Sequence, residues 1–251
     1  MPAYYNENDP FAARWLLNLI KDGLIETGEV DDRSIVDVTK DDLAGRERCH
    51  FFAGIGGWAL ALDLAGWPRD RPAWTGSCPC QPFSAAGQRS GFLDERHLWP
   101  AFHALIAECR PPVVFGEQVA GPDGLEWLAR VRADLEATGY AVGAADLPAA
   151  GFGAPQTRQR LYWVADASGG RRREDWHEIQ GEIGGCGCAG FWSRFVELRP
   201  REGEPARRIE PGTMPMADGV PSYLDQLRAY GNAIVPQIGA AFVKAFMDSR
   251  L

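Results

Sequence analysis

No apolar run in the 251 residues approaches the ~18 that a membrane-spanning helix requires, and no stretch resembles a signal peptide. A soluble, cytoplasmic protein is the expectation. Cysteine is sparse. Six thiols (Cys49, Cys78, Cys80, Cys109, Cys186, Cys188) lack the density of a disulfide-stapled secreted domain, so reduced thiols are the default. Cys186 and Cys188 form a Cys-x-Cys pair without the four-ligand spacing of a zinc finger, which argues against a metal site. Basic excess is missing too. A net charge of −8 weighs against an extended phosphate-binding face, although ten arginines against eight acids lie between Gln156 and Arg208. A local basic surface there stays open. Neither an internal repeat nor a coiled-coil pattern is visible.

What is present suffices for a sizeable core: 45% of the residues are hydrophobic, enough for one large domain or one domain with a small insert. Asp9 is a natural N-cap with Pro10 at the first helical position, and Phe11, Trp15, Leu16, Leu19 and Ile20 are spaced as one buried helix face. Ser34–Val38 reads as a short buried strand. Cys49–Phe52 reads as another, running through Ala53-Gly54-Ile55-Gly56-Gly57 into a helix over Trp58–Ala65. Strand, glycine turn and helix suit a nucleotide-like cofactor, because glycines admit close backbone approach and a helix N-terminus favours an anion. A purely structural strand-to-helix turn would use glycines as well.

Further strands are predicted at Pro72–Gly76, Val113–Phe115, Tyr140–Ala145 and Leu161–Ala165. Helices are predicted at His97–Cys109, Leu125–Thr138 and Gln237–Met247. Strands alternating with helices imply an α/β fold. From Asp166 to about Pro211 the periodicity fades into glycine- and arginine-rich sequence, the mark of an insert or a small loop-rich module.

Three places carry candidate chemistry. The stretch Ser77-Cys78-Pro79-Cys80-Gln81-Pro82-Phe83-Ser84 is a loop stiffened by two prolines at a strand's carboxyl end, well placed to present a nucleophilic thiol. A buried structural thiol or half of a metal clip is the alternative. Glu117 is delivered at the carboxyl end of the Val113–Phe115 strand, where apolar neighbours raise a carboxyl pKa and suit proton donation; an exposed loop glutamate is the bland reading. Arg158 and Arg160 alternate in extended chain and so share a side, as contacts to an oxygen-rich ligand or as solvated charges.

Phe52-Ala53-Gly54-Ile55-Gly56-Gly57, Pro79-Cys80-Gln81-Pro82-Phe83-Ser84, Glu117-Gln118-Val119, Gln156-Thr157-Arg158-Gln159-Arg160 and Gly231-Asn232-Ala233-Ile234-Val235-Pro236 occur in this order. Together they resemble the motifs of the DNA (cytosine-5)-methyltransferases, and the chain resembles a small phage- or prophage-like member. The resemblance implies a Rossmann-like sheet with helices on both faces, binding S-adenosyl-L-methionine. It divides the chain into a catalytic and cofactor-binding domain over 1–165, completed by 221–251, and a small target-recognition region over 166–220.

It also implies roles. Cys80 is the nucleophile toward C6 of cytosine, Glu117 the proton donor to N3, and Arg160 with Arg158 the holder of the base oxygen. The cofactor set is Phe52, Gly54, Gly56, Gly57, Pro79, Leu98, Trp99, Asn232 and Ile234. DNA contacts fall to Ser84, Gln88, Arg171, Arg172, Arg194, Arg207 and Arg208, with double-stranded DNA as partner to a monomer. No metal is implied.

Two features depart from the family pattern. About twenty residues separate Gly57 from Cys80, too few for the strands and helix that the family places there. The displaced unit is expected at the front. Asn6-Glu7-Asn8-Asp9-Pro10 resembles the acidic motif and Arg33–Val38 the next strand. Glu7 is then assigned to the ribose hydroxyls, Asn8 to the side of the adenine, and Ser34 or Asp37, beside Ile35, to its amino group. The second departure is Gln118, where the family usually has asparagine. A tRNA-modifying branch with the same chemistry, and a catalytically impaired DNA-binding relative, remain alternatives. A nicotinamide oxidoreductase is disfavoured, because Gly54, Gly56 and Gly57 do not give Gly-x-Gly-x-x-Gly.

Overall fold

The computed structural model describes residues 2–79, 98–154, 158–169 and 231–250, together with the backbone of 196–198 and 207–209. The chain enters on a four-residue strand, β1 (Ala3–Asn6), with every residue buried. Helix α1 (Pro10–Lys21) follows at once. Asp9 Oδ1 accepts hydrogen bonds from the backbone N–H groups of Phe11 (2.9 Å) and Ala12 (3.1 Å). Such a cap stabilises a helix by about 1 kcal/mol, and Pro10 gives up only an N–H that would have lacked a partner. The face buried by α1 is Ala12, Ala13, Trp15 and Leu16, and the chain returns as β2 (Gly28–Asp31), parallel to β1.

Here the structure corrects the sequence reading. The strand is Gly28–Asp31, while Ile35–Asp37 forms a short 3-10 turn followed by another at Asp41–Leu43. The reason is the burial spacing. Ile35 and Val38 are buried and Val36 is 62% exposed, a three-residue interval that a strand's two-residue alternation cannot deliver.

The remaining parallel strands are β3 (Arg48–Phe51), β4 (Ala73–Gly76) and β5 (Val113–Val119). Helices α2 (Gly57–Ala65) and α3 (Trp99–Cys109) connect them. Then come α4 (Pro122–Ala137), β6 (Ala141–Pro148) and β7 (Gln159–Asp166), and α5 (Pro236–Asp248) closes the described chain. The seven strands form one sheet in the order β2-β1-β3-β4-β5-β7-β6, parallel through β5, with β7 alone reversed and antiparallel to both β5 and β6. Two further short strands, β8 (Val196–Leu198) and β9 (Arg207–Ile209), pair antiparallel apart from it.

Both faces of the sheet are covered. Tyr4, Cys49, Phe51, Trp74, Val114 and Trp163 pack against α3 and α4 on one side. Phe115, Tyr162 and Val164 meet α2 and α5 on the other, where Ala3 and Tyr5 meet α1. Polar groups inside pin the front unit to its neighbours. The Arg48 guanidinium, 2% exposed, pairs with Glu26 at 3.1 Å and donates to the carbonyls of Trp67 and Pro68. His50 Nδ1 lies 2.8 Å from Thr75 Oγ1, its ring stacked on Tyr5, and burial depresses its pKa to about 3.

Strand order matters most for the site. The β1-α1-β2 unit precedes β3 in sequence and lies beside it in the sheet, as the displaced front segment requires. From β3 the chain crosses through α2 to β4, while from β1 it crosses through α1 to β2 in the opposite direction along the sheet. Loops after β1 and β3 therefore diverge at the carboxyl edge, and a crevice between them is where open α/β sheets bind ligands.

Candidate active site

At that edge Glu7 and the glycine turn meet. Glu7 follows β1 directly, and its two carboxylate oxygens accept from the N–H groups of Asp9 (2.9 Å) and Gly54 (2.7 Å). Burial pushes its pKa up, and the two backbone donors pull it back toward the charged form. The main chain is tied as well, Ala53 N–H donating to Asn6 C=O at 3.0 Å. Gly54 and Gly56 adopt positive φ (55° and 79°), and so does Phe52 at 51°. A phenylalanine in that region costs roughly 1–3 kcal/mol, a strain that tends to gather at functional sites. At Gly57 an added Cβ would lie 2.8 Å from Ile234 Cγ1, so the bare backbone is what lets α2 seat on the segment before α5.

The second half of the site lies across β4, β5 and β7. Gly76 and Gly116 are register partners, so Ser77 and Glu117 leave adjacent strands side by side. Glu117 is 7% exposed and pairs with Arg160 Nε at 2.8 Å. Its pKa is raised by burial, against opposing pulls from Arg160, Arg158 and the neighbouring Ser77 hydroxyl. Arg158 reaches the other way, donating to the carbonyls of Ala233 (2.5 Å) and Gly231 (3.1 Å). It thereby fastens the Gly231–Pro236 motif to the start of β7. Gln118, 2% exposed, donates from Nε2 to the Cys78 carbonyl at 3.3 Å while its Oε1 accepts from Val119 N–H. The longer amide thus spans the gap to the cysteine loop. Trp58 Nε1–H donates to Ser77 Oγ at 3.0 Å.

Residues 67–178 match the C-5 cytosine-specific DNA methylase family, a span holding the cysteine loop, Glu117, Arg158 and Arg160. Over that span the chain is similar to that family. Similar proteins include the Type II methyltransferase M.AplI of Arthrospira platensis, 37% identical over 36% of this chain and 27% of that protein. The Type II methyltransferase M.HhaI of Haemophilus parahaemolyticus is 27% identical over 52% of each. The chain thus spans between about a quarter and a half of the length of these two relatives. Among solved structures, Spodoptera frugiperda DNMT2 overlaps 70% of this chain and 45% of its own, at 14% identity and a TM-score of 0.46.

Around these two halves of the site, the other predicted residues scatter. Asn8, Asp37, Pro79 and Asn232 are exposed, Ser34 and Leu98 half-buried, and Ile35 buried under the first 3-10 turn. Trp99 does not face the edge. It sits in the core at 2% exposure, against Trp127 and Trp163, with its indole N–H donated to Asp134 at 2.9 Å. Ile234 is likewise buried, packed under Gly57. Phe52 is half-buried, edge-on to Phe102. Cys80, Ser84, Gln88, Arg171, Arg172 and Arg194 lie outside the described residues, and Arg207 and Arg208 are described by backbone alone in β9.

The sequence reading missed Trp58, which looked like one more apolar residue of a helix. It also missed the knot at the end of β2. There Asp31 accepts from the Tyr4 hydroxyl and from Arg33, whose hydrogen bonds hold its pKa at about 2. Asn6 Nδ2 donates to the carbonyls of Asp31 and Arg33, closing β1 onto β2. Asn6 and Arg33 had drawn notice only as the first residues of the two front motifs. No metal-binding cluster of His, Cys, Asp and Glu occurs among the described residues. No described helix is long and apolar enough to cross a membrane.

Proposed function

We propose that the protein transfers a methyl group from S-adenosyl-L-methionine to C5 of a cytosine flipped out of duplex DNA. The observation that carries this reading is the ion pair of the buried Glu117 with Arg160, set beside the first residues of the cysteine loop. The family match over residues 67–178 supports the reaction class. The residues at the β1–β3 edge fit the cofactor. Each Glu7 oxygen accepts a single backbone N–H and retains a lone pair for a ribose hydroxyl, and nothing lies within 4 Å of the position a Cβ would take at Gly54.

When bound, the cofactor supplies an electrophilic methyl group. The protein's own work is to make C5 nucleophilic. The Cys80 thiolate adds to C6, and the electron pair displaced from the C5–C6 bond moves into the ring toward C5 and N3. Glu117 grips the N3/N4 edge and places a proton on N3, for which its burial-raised pKa is suited. Arg160 holds both Glu117 and the base oxygen, with Arg158 bracing the neighbouring motif. After C5 has been alkylated, loss of its proton to a base restores the double bond and expels the thiolate, and N3 returns its proton to Glu117. No side chain reaches these atoms in a stacked duplex, so the base must swing out.

Radiolabelled methyl transfer to duplex DNA, with tRNA as the parallel substrate, tests the reading. Label in DNA supports it; label in tRNA alone would replace the substrate, and label in neither would remove the activity. At the other half of the site, Glu7→Ala should weaken cofactor binding by about tenfold, the worth of one charge-assisted hydrogen bond. Calorimetric titration with the cofactor measures this, and unchanged affinity would detach Glu7 from the pocket.

A further inference from the structure

Trp58, in the first turn of α2, joins the glycine turn to the cysteine loop through its indole N–H, which donates to Ser77 Oγ. An indole nitrogen can only donate, so Ser77 must be the acceptor there, and its own hydroxyl proton is left to point elsewhere. Across the register pair Gly76–Gly116 the neighbouring acceptor is the Glu117 carboxylate. Arg160 Nε approaches Glu117 Oε1 from β7. The Trp58 ring is itself fixed, stacked on Phe115 (6.1 Å) and edge-on to Tyr162 (6.0 Å), the cross-strand partner of Glu117.

We propose that Ser77 is a positioning residue for Glu117: with one lone pair filled by Trp58, it directs its proton to the Glu117 carboxylate and fixes how that carboxylate meets the base. Trp58 acts one step further back, by setting the direction of the Ser77 hydroxyl. The inference rests on reading Glu117 as the proton donor to N3.

Among the described residues, the titratable and charged groups facing Glu117 are Arg160, Arg158 and Tyr162, at the start of β7 and along it. From α2 and α5 the residues packed there, Trp58 and Phe242, carry no charge. Ser77 stabilises the carboxylate anion, so removing its hydroxyl favours the protonated acid. The sign follows. Proton donation is lost as pH rises through the Glu117 pKa, and Ser77→Ala should move that alkaline limb upward.

The test uses the full chain with Ser77→Ala, Trp58→Phe and Ser77→Thr. It records the pH dependence of methyl transfer and, separately, the ¹³C NMR titration of the Glu117 carboxyl carbon, assigned by its loss in Glu117→Gln. Ser77→Ala should raise both midpoints by about one pH unit, the equivalent of one hydrogen bond to a charged group. Trp58→Phe should move them the same way by less, although Trp58 is not the residue bonded to Glu117, and Ser77→Thr should restore the wild-type values. A purely structural role would lower the rate and leave both midpoints in place. Unmoved NMR midpoints in folded Ser77→Ala, or in Trp58→Phe should the alanine variant not fold, would overturn the proposal. A shifted NMR midpoint in a protein that methylates nothing would uphold the hydrogen bond and remove the enzymatic reading instead.

Discussion

Cys80→Ser should abolish methyl transfer, with a fall of about a millionfold, the scale seen when a covalent nucleophile is removed. A serine hydroxyl is far less acidic than a thiol and offers almost no anion near neutral pH to add to C6. The nearby Cys78 cannot substitute. It is 5% exposed, and burial pushes its pKa well above that of a free thiol. Its carbonyl, not its sulfur, is the atom that Gln118 holds. The clean measurement is trapping on duplex DNA carrying 5-fluorocytosine, whose C5 fluorine blocks the final elimination. Wild type should form a denaturant-stable adduct dependent on S-adenosyl-L-methionine, and Cys80→Ser none. An adduct that persists in the serine variant would move the nucleophile to another residue.

Gly116→Ala should cost at least about 3 kcal/mol, at the upper end of what overpacking a core usually costs. An added Cβ would lie 2.2 Å from the Trp163 ring, and that ring is completely buried. Trp163 has nowhere to go, because Trp99 and Trp127 pack against it at 6.1 and 6.5 Å. In a domain of this size the melting temperature should drop by roughly 6–12 °C. Since Glu117 is the next residue, activity should fall further than the folded fraction does. Thermal denaturation alongside an active-site titration separates the two, and a melting temperature equal to wild type would mean that β5 and β7 are less tightly apposed than Gly116 and Trp163 suggest.

Much of this was legible in the sequence because the signals were local. Asp9-Pro10 announced a capped helix, and alternating strands and helices announced the α/β sheet. The position of Glu7 opposite the glycine turn was inferred from a spacing deficit and a weak motif, and the structure joins Glu7 to Gly54 by a hydrogen bond. What stayed illegible was non-local. Val30 stands between two acids, Glu29 and Asp31, as the one apolar side chain of β2, too short a run to announce a strand; its partner Tyr5 on β1 is fixed only on folding. Trp99 had the residue type expected of a cofactor contact, yet its indole is engaged by Asp134 on α4, 35 residues away. Ser77 was read only as the first residue of a proline loop, since its partner Trp58 belongs to a helix whose facing direction the sequence did not reveal.

The order of strands has a consequence during synthesis. As β2 leaves the ribosome, β1 has a neighbour on one edge only, and its other edge waits for β3, about 20 residues later. At ribosomal rates of ~5–20 residues per second that interval lasts roughly one to four seconds. Glu7 is therefore made well before the Gly54 amide that fixes it. The Glu7 side of the site is a preassembled edge awaiting its second half, and a pause in translation anywhere between Asp32 and Glu47 would prolong the time for which that edge can pair with the wrong strand.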